Sequence, residues 1–183
     1  MRNPFLIGER IYLRPLERAD APTIVEFLND EQVTRTLNMH RPLTLEAEES
    51  WLEKAMKDER NILLAIARKS DDRYLGNTGL HLKQEKDRAA MFGIFIGAKD
   101  EWNKGHGTET AKLMLRYGFE TLNLNRICLH VYANNPGGIR AYEKAGYVRE
   151  GIMRQATYSE GRYHDVLVMG VLAEEWFARK ERK

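Results

Sequence analysis

Lys104-Gly105-His106-Gly107-Thr108-Glu109 sets two glycines two positions apart where an apolar run gives way to a helical pattern. Neither glycine carries a Cβ and both tolerate positive φ, so consecutive N–H groups can converge at the positive end of the following helix dipole. The chemistry this supports is anion binding, best suited to a phosphate or pyrophosphate. Two well-known phosphate loops are not met: the spacing from Gly105 to the next lysine does not give G-x-x-x-x-G-K-[ST], and Thr110 stands where G-x-G-x-x-G needs its third glycine. A second stretch, residues 134–147, reads as a turn, a two-turn helix and Gly146 as the left-handed residue that ends it. It carries Tyr142, whose phenol has an ordinary pKa of about 10 and so holds a proton to give at neutral pH. No metal set is expected. His40, His81, His106, His130 and His164 show no i, i+3 or i+4 pairing, and the lone Cys128 cannot build a zinc site.

The elements that must position these groups follow from periodicity. Residues 89–97 are an apolar run ending in glycine, a strand. Ala111, Met114, Leu115, Gly118 and Phe119 then fall at the i, i+3, i+4, i+7, i+8 spacing of an amphipathic helix. Residues 126–132 alternate, with Ile127, Leu129 and Val131 on one face. Strand, long helix, strand with a right-handed crossover makes these two strands parallel neighbours. Upstream, residues 9–16 alternate as a strand that Pro15 helps end, and Asp20 ahead of Ala21-Pro22 reads as an N-cap. Ile24, Val25, Phe27 and Leu28 give the first helix its stripe; a second helix begins at Thr44 with Trp51, Leu52, Ala55 and Met56 on one face. Residues 32–42 form an irregular polar connector bearing Arg35, Asn38, His40 and Arg41. Residues 62–67 and 74–82 are strands, 84–88 a hairpin turn, 161–169 a further strand, and Leu172 and Trp176 belong to a terminal helix.

With 183 residues, 43% hydrophobic and 31% charged, the chain has ordinary globular composition and the length of one domain spanning 1–183. A single cysteine excludes an internal disulfide and fits a reducing compartment. With neither a leader pattern nor an apolar run long enough to span a bilayer, a cytoplasmic protein without membrane association is expected. Twenty-nine basic against 27 acidic residues leave +2, which gives no electrostatic footprint for nucleic acid.

Residues 102–109 after an apolar strand resemble the coenzyme A pyrophosphate loop of the GCN5-related N-acetyltransferases (GNAT), [QR]-x-x-G-x-[GA]. Residues 134–147 resemble that superfamily's second signature, N-x-x-[AGS]-x-x-x-Y-x-K-x-G-[FY], at the expected distance. Together with residues 9–16 and the tail, they look like the RimJ/RimL branch, the ribosomal-protein N-acetyltransferase-like group, over about residues 7–176. The resemblance implies a GNAT α/β (α+β) fold: a mixed, mostly antiparallel sheet of six or seven strands, a splay between two central parallel strands, and helices on both faces. It implies acetyl-CoA as cofactor, released as coenzyme A, and transfer to a primary amine. That amine would be a protein N-terminal α-amine, or a small amine such as a polyamine, amino acid or antibiotic. A carboxylate-rich cleft would favour a polyamine and an open groove a peptide. A homodimer is plausible from the family alone. The rival reading is a non-catalytic acyl-CoA-binding or regulatory module.

By the same resemblance, Phe95, Ile96, Gly97 and Ala98 offer backbone groups to the pantetheine arm, and an N–H near Ile96 or Gly97 polarises the thioester carbonyl. The pyrophosphate sits on N–H groups from Asn103, Lys104, Gly105, His106, Gly107, Thr108 and Glu109, with a screened charge from Lys104 and a backbone role for His106. Asn134 contacts the pantetheine amide, Ile139, Arg140 and Lys144 line the outer edge, and Tyr142 is the general acid. Two departures stand out. Trp102 occupies the [QR] position, and Met91 stands where many relatives carry a glutamate, which takes away the expected base. His81, on the neighbouring strand, is the best replacement because imidazole titrates near pH 6.5; a water relay or an amine of lowered pKa would need no base. Asp165 beside His164 is a further candidate for the acceptor side.

Overall fold

The computed structural model describes residues 1–82 and 85–181. Among these, eight strands form one sheet: β1 (Leu6–Ile7), β2 (Ile11–Pro15), β3 (Asn61–Arg68), β4 (Tyr74–Leu82), β5 (Ala89–Ile96), β6 (Arg126–Tyr132), β7 (Val148–Ser159) and β8 (Arg162–Leu172). Their order in space is β1-β2-β3-β4-β5-β6-β8-β7. Every neighbouring pair is antiparallel except β5 and β6. The helices are α1 (Ala21–Leu28), α2 (Glu31–Thr34), α3 (Leu45–Ala55), α4 (His106–Glu120), α5 (Pro136–Ala145) and α6 (Ala173–Glu181).

The alternation of β3 shows how two cores arise. Leu64 and Ile66 point into the larger core with Leu80, Ile127 and the buried stripe of α4, whereas Ala65 points to the other face, against Ala21 and Ile24 of α1 and Leu52 of α3. Helices therefore cover both faces, as a sheet buried on both sides requires. The expected stripe of α4 is fully realised, since Ala111, Met114, Leu115, Gly118 and Phe119 are all buried.

The feature that shapes the site is the pairing of β5. Against β4 it runs in register from Leu82 opposite Ala90 to Gly76 opposite Ile96. Against β6 it pairs only at Ala89, Ala90 and Met91, with Arg126, Ile127 and Cys128. Beyond Met91 the two parallel strands diverge, and the gap between them is open.

Several expectations need correction. The sheet has eight strands among the described residues where six or seven were expected, because the exposed strand β7 and the two-residue β1 carry little apolar alternation. Asp20 does not cap α1. Its carboxylate turns back onto the buried Arg14 guanidinium at 2.6 and 2.8 Å, because a buried guanidinium needs an anionic partner more than a helix end does. Trp51 lies outside the core at 45% exposure, Met56 is also exposed, and of that stripe only Leu52 is fully buried. Thr44 does cap α3, accepting from the Ala47 N–H at 3.2 Å. Residue 84 of the expected 84–88 turn lies outside the described residues.

Candidate active site

A cleft of about 1110 Å³ occupies the gap between β5 and β6. Its walls are Met91 to Ile96 of β5, His130 to Tyr132 of β6, the loop into α4, and the start of α5. Residues 32–38 close one rim, and Met153, Ala156 and Thr157 of β7 close the other.

Gly105 caps α4 with φ +85, and Asn103 is also left-handed at φ +61, so the loop turns sharply into the helix. The first helical bond runs from the Glu109 N–H to the Gly105 carbonyl at 3.0 Å. The N–H groups of His106, Gly107 and Thr108 lie ahead of it and have no helical acceptor. Gly105, His106, Gly107 and Thr108 all line the cleft, so these donors sit at the positive end of a 15-residue helix beside open space.

The loop is braced from behind by a carboxylate whose importance the sequence does not announce. Glu101 is 3% exposed and accepts from His106 Nε2 at 2.8 Å, Lys104 Nζ at 2.7 Å and Arg68 Nη1 at 2.7 Å. Lys104 and His106 together hold its pKa below the usual carboxylate range, with Arg68 adding to the effect. The Lys104 charge is thus engaged by Glu101, and the His106 side chain is a buried anchor as well as a backbone position. Its Nδ1 is buried and unpartnered.

Not every expected cofactor residue reaches the cleft. Glu109 spends its N–H within α4 and turns its carboxylate onto Arg10, accepting from the Arg10 backbone N–H at 3.0 Å and its Nε at 3.2 Å. The N–H groups of Gly97 and Ala98 both donate to the Leu75 carbonyl, at 2.9 and 3.2 Å, and a Cβ at Gly97 would overlap the Phe27 ring. Neither can therefore polarise a thioester. Ile139 packs against the core, and Asp165 accepts from the Gln155 N–H at 2.8 Å, bracing an irregularity of β7. Strand alternation points to better donors. The Gly93 carbonyl accepts from Thr78 and the Gly97 N–H donates to Leu75, so both face β4. Ile94 and Ile96 must turn their backbone groups to the side that β6 has left. The Ile96 carbonyl on that side accepts from Trp102 Nε1 at 2.7 Å, which gives Trp102 a scaffold contact in place of a polar ligand.

Opposite this strand stands α5, started by Asn135, whose Oδ1 accepts from the Gly138 N–H at 2.9 Å, and ended by Gly146 at φ +114. Tyr142 projects from it into the cleft, its ring edge-on to Phe92 at 6.1 Å and near Tyr147 at 5.9 Å. Burial pushes its phenol up to about 12, so the hydroxyl is a neutral donor across the physiological range. Asn134 donates through Nδ2 to Ser159 Oγ at 3.4 Å and Glu160 Oε2 at 3.3 Å, while its Oδ1 is buried without a partner. Arg140 and Lys144 also line the cleft, as does Phe95 of β5, which packs as well against the core beneath α1 and α3. His81 lines the cleft from β4, directly across from Met91. Burial lowers its pKa, with Asp58 opposing, which favours the neutral ring.

The family model of the acetyltransferase (GNAT) domain matches residues 10–148. The chain belongs to the GNAT acetyltransferase family. The spermidine N(1)-acetyltransferase of Vibrio cholerae is 29% identical over 177 residues, covering 96% of this chain and 100% of that one. A putative ribosomal N-acetyltransferase of Bacillus subtilis, YdaF, is 26% identical over 179 residues, covering 95% and 97%. The crystal structure of spermidine N-acetyltransferase from Vibrio cholerae in complex with CoA and spermine superposes with a TM-score of 0.84 at 27% identity, covering 93% of this chain and 99% of that one. This GNAT chain is accordingly an acetyltransferase that uses acetyl-CoA and delivers the acetyl group to an amine. The groups described above suit that cofactor: three N–H donors without a helical acceptor for a diphosphate, an orphaned amide oxygen for a pantetheine N–H, and Arg140 and Lys144 lining the cleft with no ion pair among the described residues. No described helix is long and apolar enough to cross a membrane.

Proposed function

We propose that this enzyme acetylates a primary amine whose surroundings are neutral or anionic, the α-amine of a peptide N-terminus or of an amino acid. The charge of the cleft carries this reading. Glu101 is the one carboxylate among the described residues lining it, and Arg68, Lys104 and His106 already occupy it. Arg35, His81 and His130 line the acceptor side, and Arg35 forms no ion pair among the described residues. A polyamine brings several ammonium groups, each of which loses hydration on entry and needs a carboxylate in return. The spermidine enzymes thus support the reaction type, while the cleft supports a different acceptor.

Bound acetyl-CoA supplies an acyl group held on a thioester. The N–H groups of His106, Gly107 and Thr108 hold its diphosphate, and Asn134 Oδ1 accepts from its pantetheine arm. The Ile94 or Ile96 N–H draws electron density onto the carbonyl oxygen where negative charge develops. His81 Nε2 takes a proton from the incoming ammonium, leaving a neutral amine whose lone pair forms the new C–N bond. As the C–S bond breaks, Tyr142 gives its proton to sulfur and recovers one from the amide nitrogen.

The test is turnover of acetyl-CoA against N-terminal peptides, free amino acids and spermidine. Specificity (kcat/KM) for the best α-amine is expected to exceed that for spermidine about 10-fold or more, given the cost of like charges in one site. A preference for spermidine would overturn the assignment of the acceptor.

A further inference from the structure

His81 is tied into a chain of polar contacts that reaches away from the cleft. Its Nδ1 lies 2.6 Å from Asn61 Oδ1, and Asn61 Nδ2 donates to Asp58 Oδ2 at 2.6 Å. Asn61 and His81 sit directly across from one another on β3 and β4, so the first contact is set by strand register. The second is set by the turn before β3, where Asp58 Oδ1 also accepts from the Arg60 N–H at 3.0 Å and Arg60 Nε at 3.4 Å. These contacts, the Arg60 backbone N–H foremost, hold the Asp58 carboxyl below its usual range, so it is ionised at neutral pH and can only accept.

That fixes every orientation in the chain. An ionised carboxylate demands the NH₂ side of the Asn61 amide, which turns the amide oxygen toward His81. An amide oxygen cannot donate, so Nδ1 must carry the ring proton. The lone pair is then on Nε2, the nitrogen nearer Gly93, 3.5 Å from where a Cβ on that residue would stand. Gly93 lies on β5 two residues past its last pairing with β6, where the cleft begins. Nε2 makes no hydrogen bond among the described residues. Among the described residues, Asn61, Met91 and Gly93 stand beside the ring and are uncharged, and Asp58 is the charge that acts on it.

We infer that Asp58 and Asn61 are positioning residues that lock His81 in the Nδ1–H tautomer and aim the basic Nε2 at the acceptor amine, supplying the base that Met91 does not. This rests on the reading of His81 as the base. When Nε2 takes the amine's proton, the Nδ1–H bond to Asn61 is retained, so the imidazolium forms without rearrangement. A glycine at position 93 leaves the approach to Nε2 open.

The test uses the full chain with acetyl-CoA and the best acceptor of the panel. His81→Ala is expected to lower kcat roughly 10²-fold, the low end for a general base. Asn61→Leu is expected to lower kcat about 10-fold, the size of effect seen when an orienting partner of a functional histidine is lost, with KM for acetyl-CoA unchanged. In ¹⁵N NMR the His81 proton should sit on Nδ1 in the parent and lose that preference in Asn61→Leu. The exchanged pair Asp58→Asn with Asn61→Asp rebuilds donor and acceptor in reverse order and should recover activity over Asn61→Asp alone; this variant also controls for misfolding. If His81→Ala is impaired while Asn61→Leu matches the parent, the positioning chain is wrong and the base stands. If His81→Ala turns over at the parental rate, the base assignment itself fails. An Nε2–H tautomer in the parent refutes the chain whatever the kinetics show.

Discussion

Thr108 Oγ1 donates to the Ala141 carbonyl at 3.3 Å, joining the first turn of α4 to the helix that carries Tyr142. The phosphate-facing donors and the phenol are thereby held in one frame by a bond between residues 33 apart in the chain. Thr108→Val keeps the shape and removes the bond. It should cost about 1 kcal/mol of stability and lower kcat more than it raises KM for acetyl-CoA, measured by urea denaturation and steady-state kinetics.

Gly105 combines φ +85 with a close neighbour, since a Cβ there would lie 2.9 Å from Arg10 Nη2. Gly105→Val meets both the left-handed penalty of about 1–2 kcal/mol and the guanidinium that donates to the Lys104 carbonyl at 2.9 Å. Calorimetric titration with coenzyme A should show binding abolished.

Glu101→Gln leaves Arg68, Lys104 and His106 converging on a neutral amide. Arg68 and Lys104 are partly exposed and keep water, so the cost is that of weakened hydrogen bonds around one buried carboxylate, about 1–2 kcal/mol, equivalent to roughly 2–8 °C in Tm for a chain of this size. Thermal denaturation should show that loss, and coenzyme A should bind more weakly because the loop loses its brace.

Tyr142→Phe should lower kcat roughly 10²–10⁴-fold, the range for a positioned proton donor. The sign of the pH effect follows from burial: the phenol is pushed up to about 12, so it stays protonated as pH rises from 7 to 10. The parent's kcat should therefore show no alkaline loss assignable to Tyr142 up to pH 10. Stability should begin to fall only above about pH 10, where unfolded tyrosines ionise and the folded one does not.

Much of this site was legible in the residues themselves. The α4 stripe, Gly105 and the Gly146 terminus are each specified by local rules of period and φ, and the structure realises all three. What escaped was whatever depended on partners distant in sequence. Glu101 reads as one acid in a polar link, and only the fold brings Arg68 to it. Glu109, Gly97 and Ala98 lie inside or beside the motif, yet their donors are taken by Gly105 and Leu75, which no motif reveals. β7 was missed because an edge strand exposed along nearly its whole length needs no alternation.

The most direct test of the account is a crystal structure of the complex with coenzyme A. The account predicts the diphosphate on the N–H groups of His106, Gly107 and Thr108, the pantetheine amide on Asn134 Oδ1, and the thiol sulfur within hydrogen-bonding reach of the Tyr142 hydroxyl. Coenzyme A bound outside the gap between β5 and β6, or with its sulfur remote from Tyr142, would contradict it.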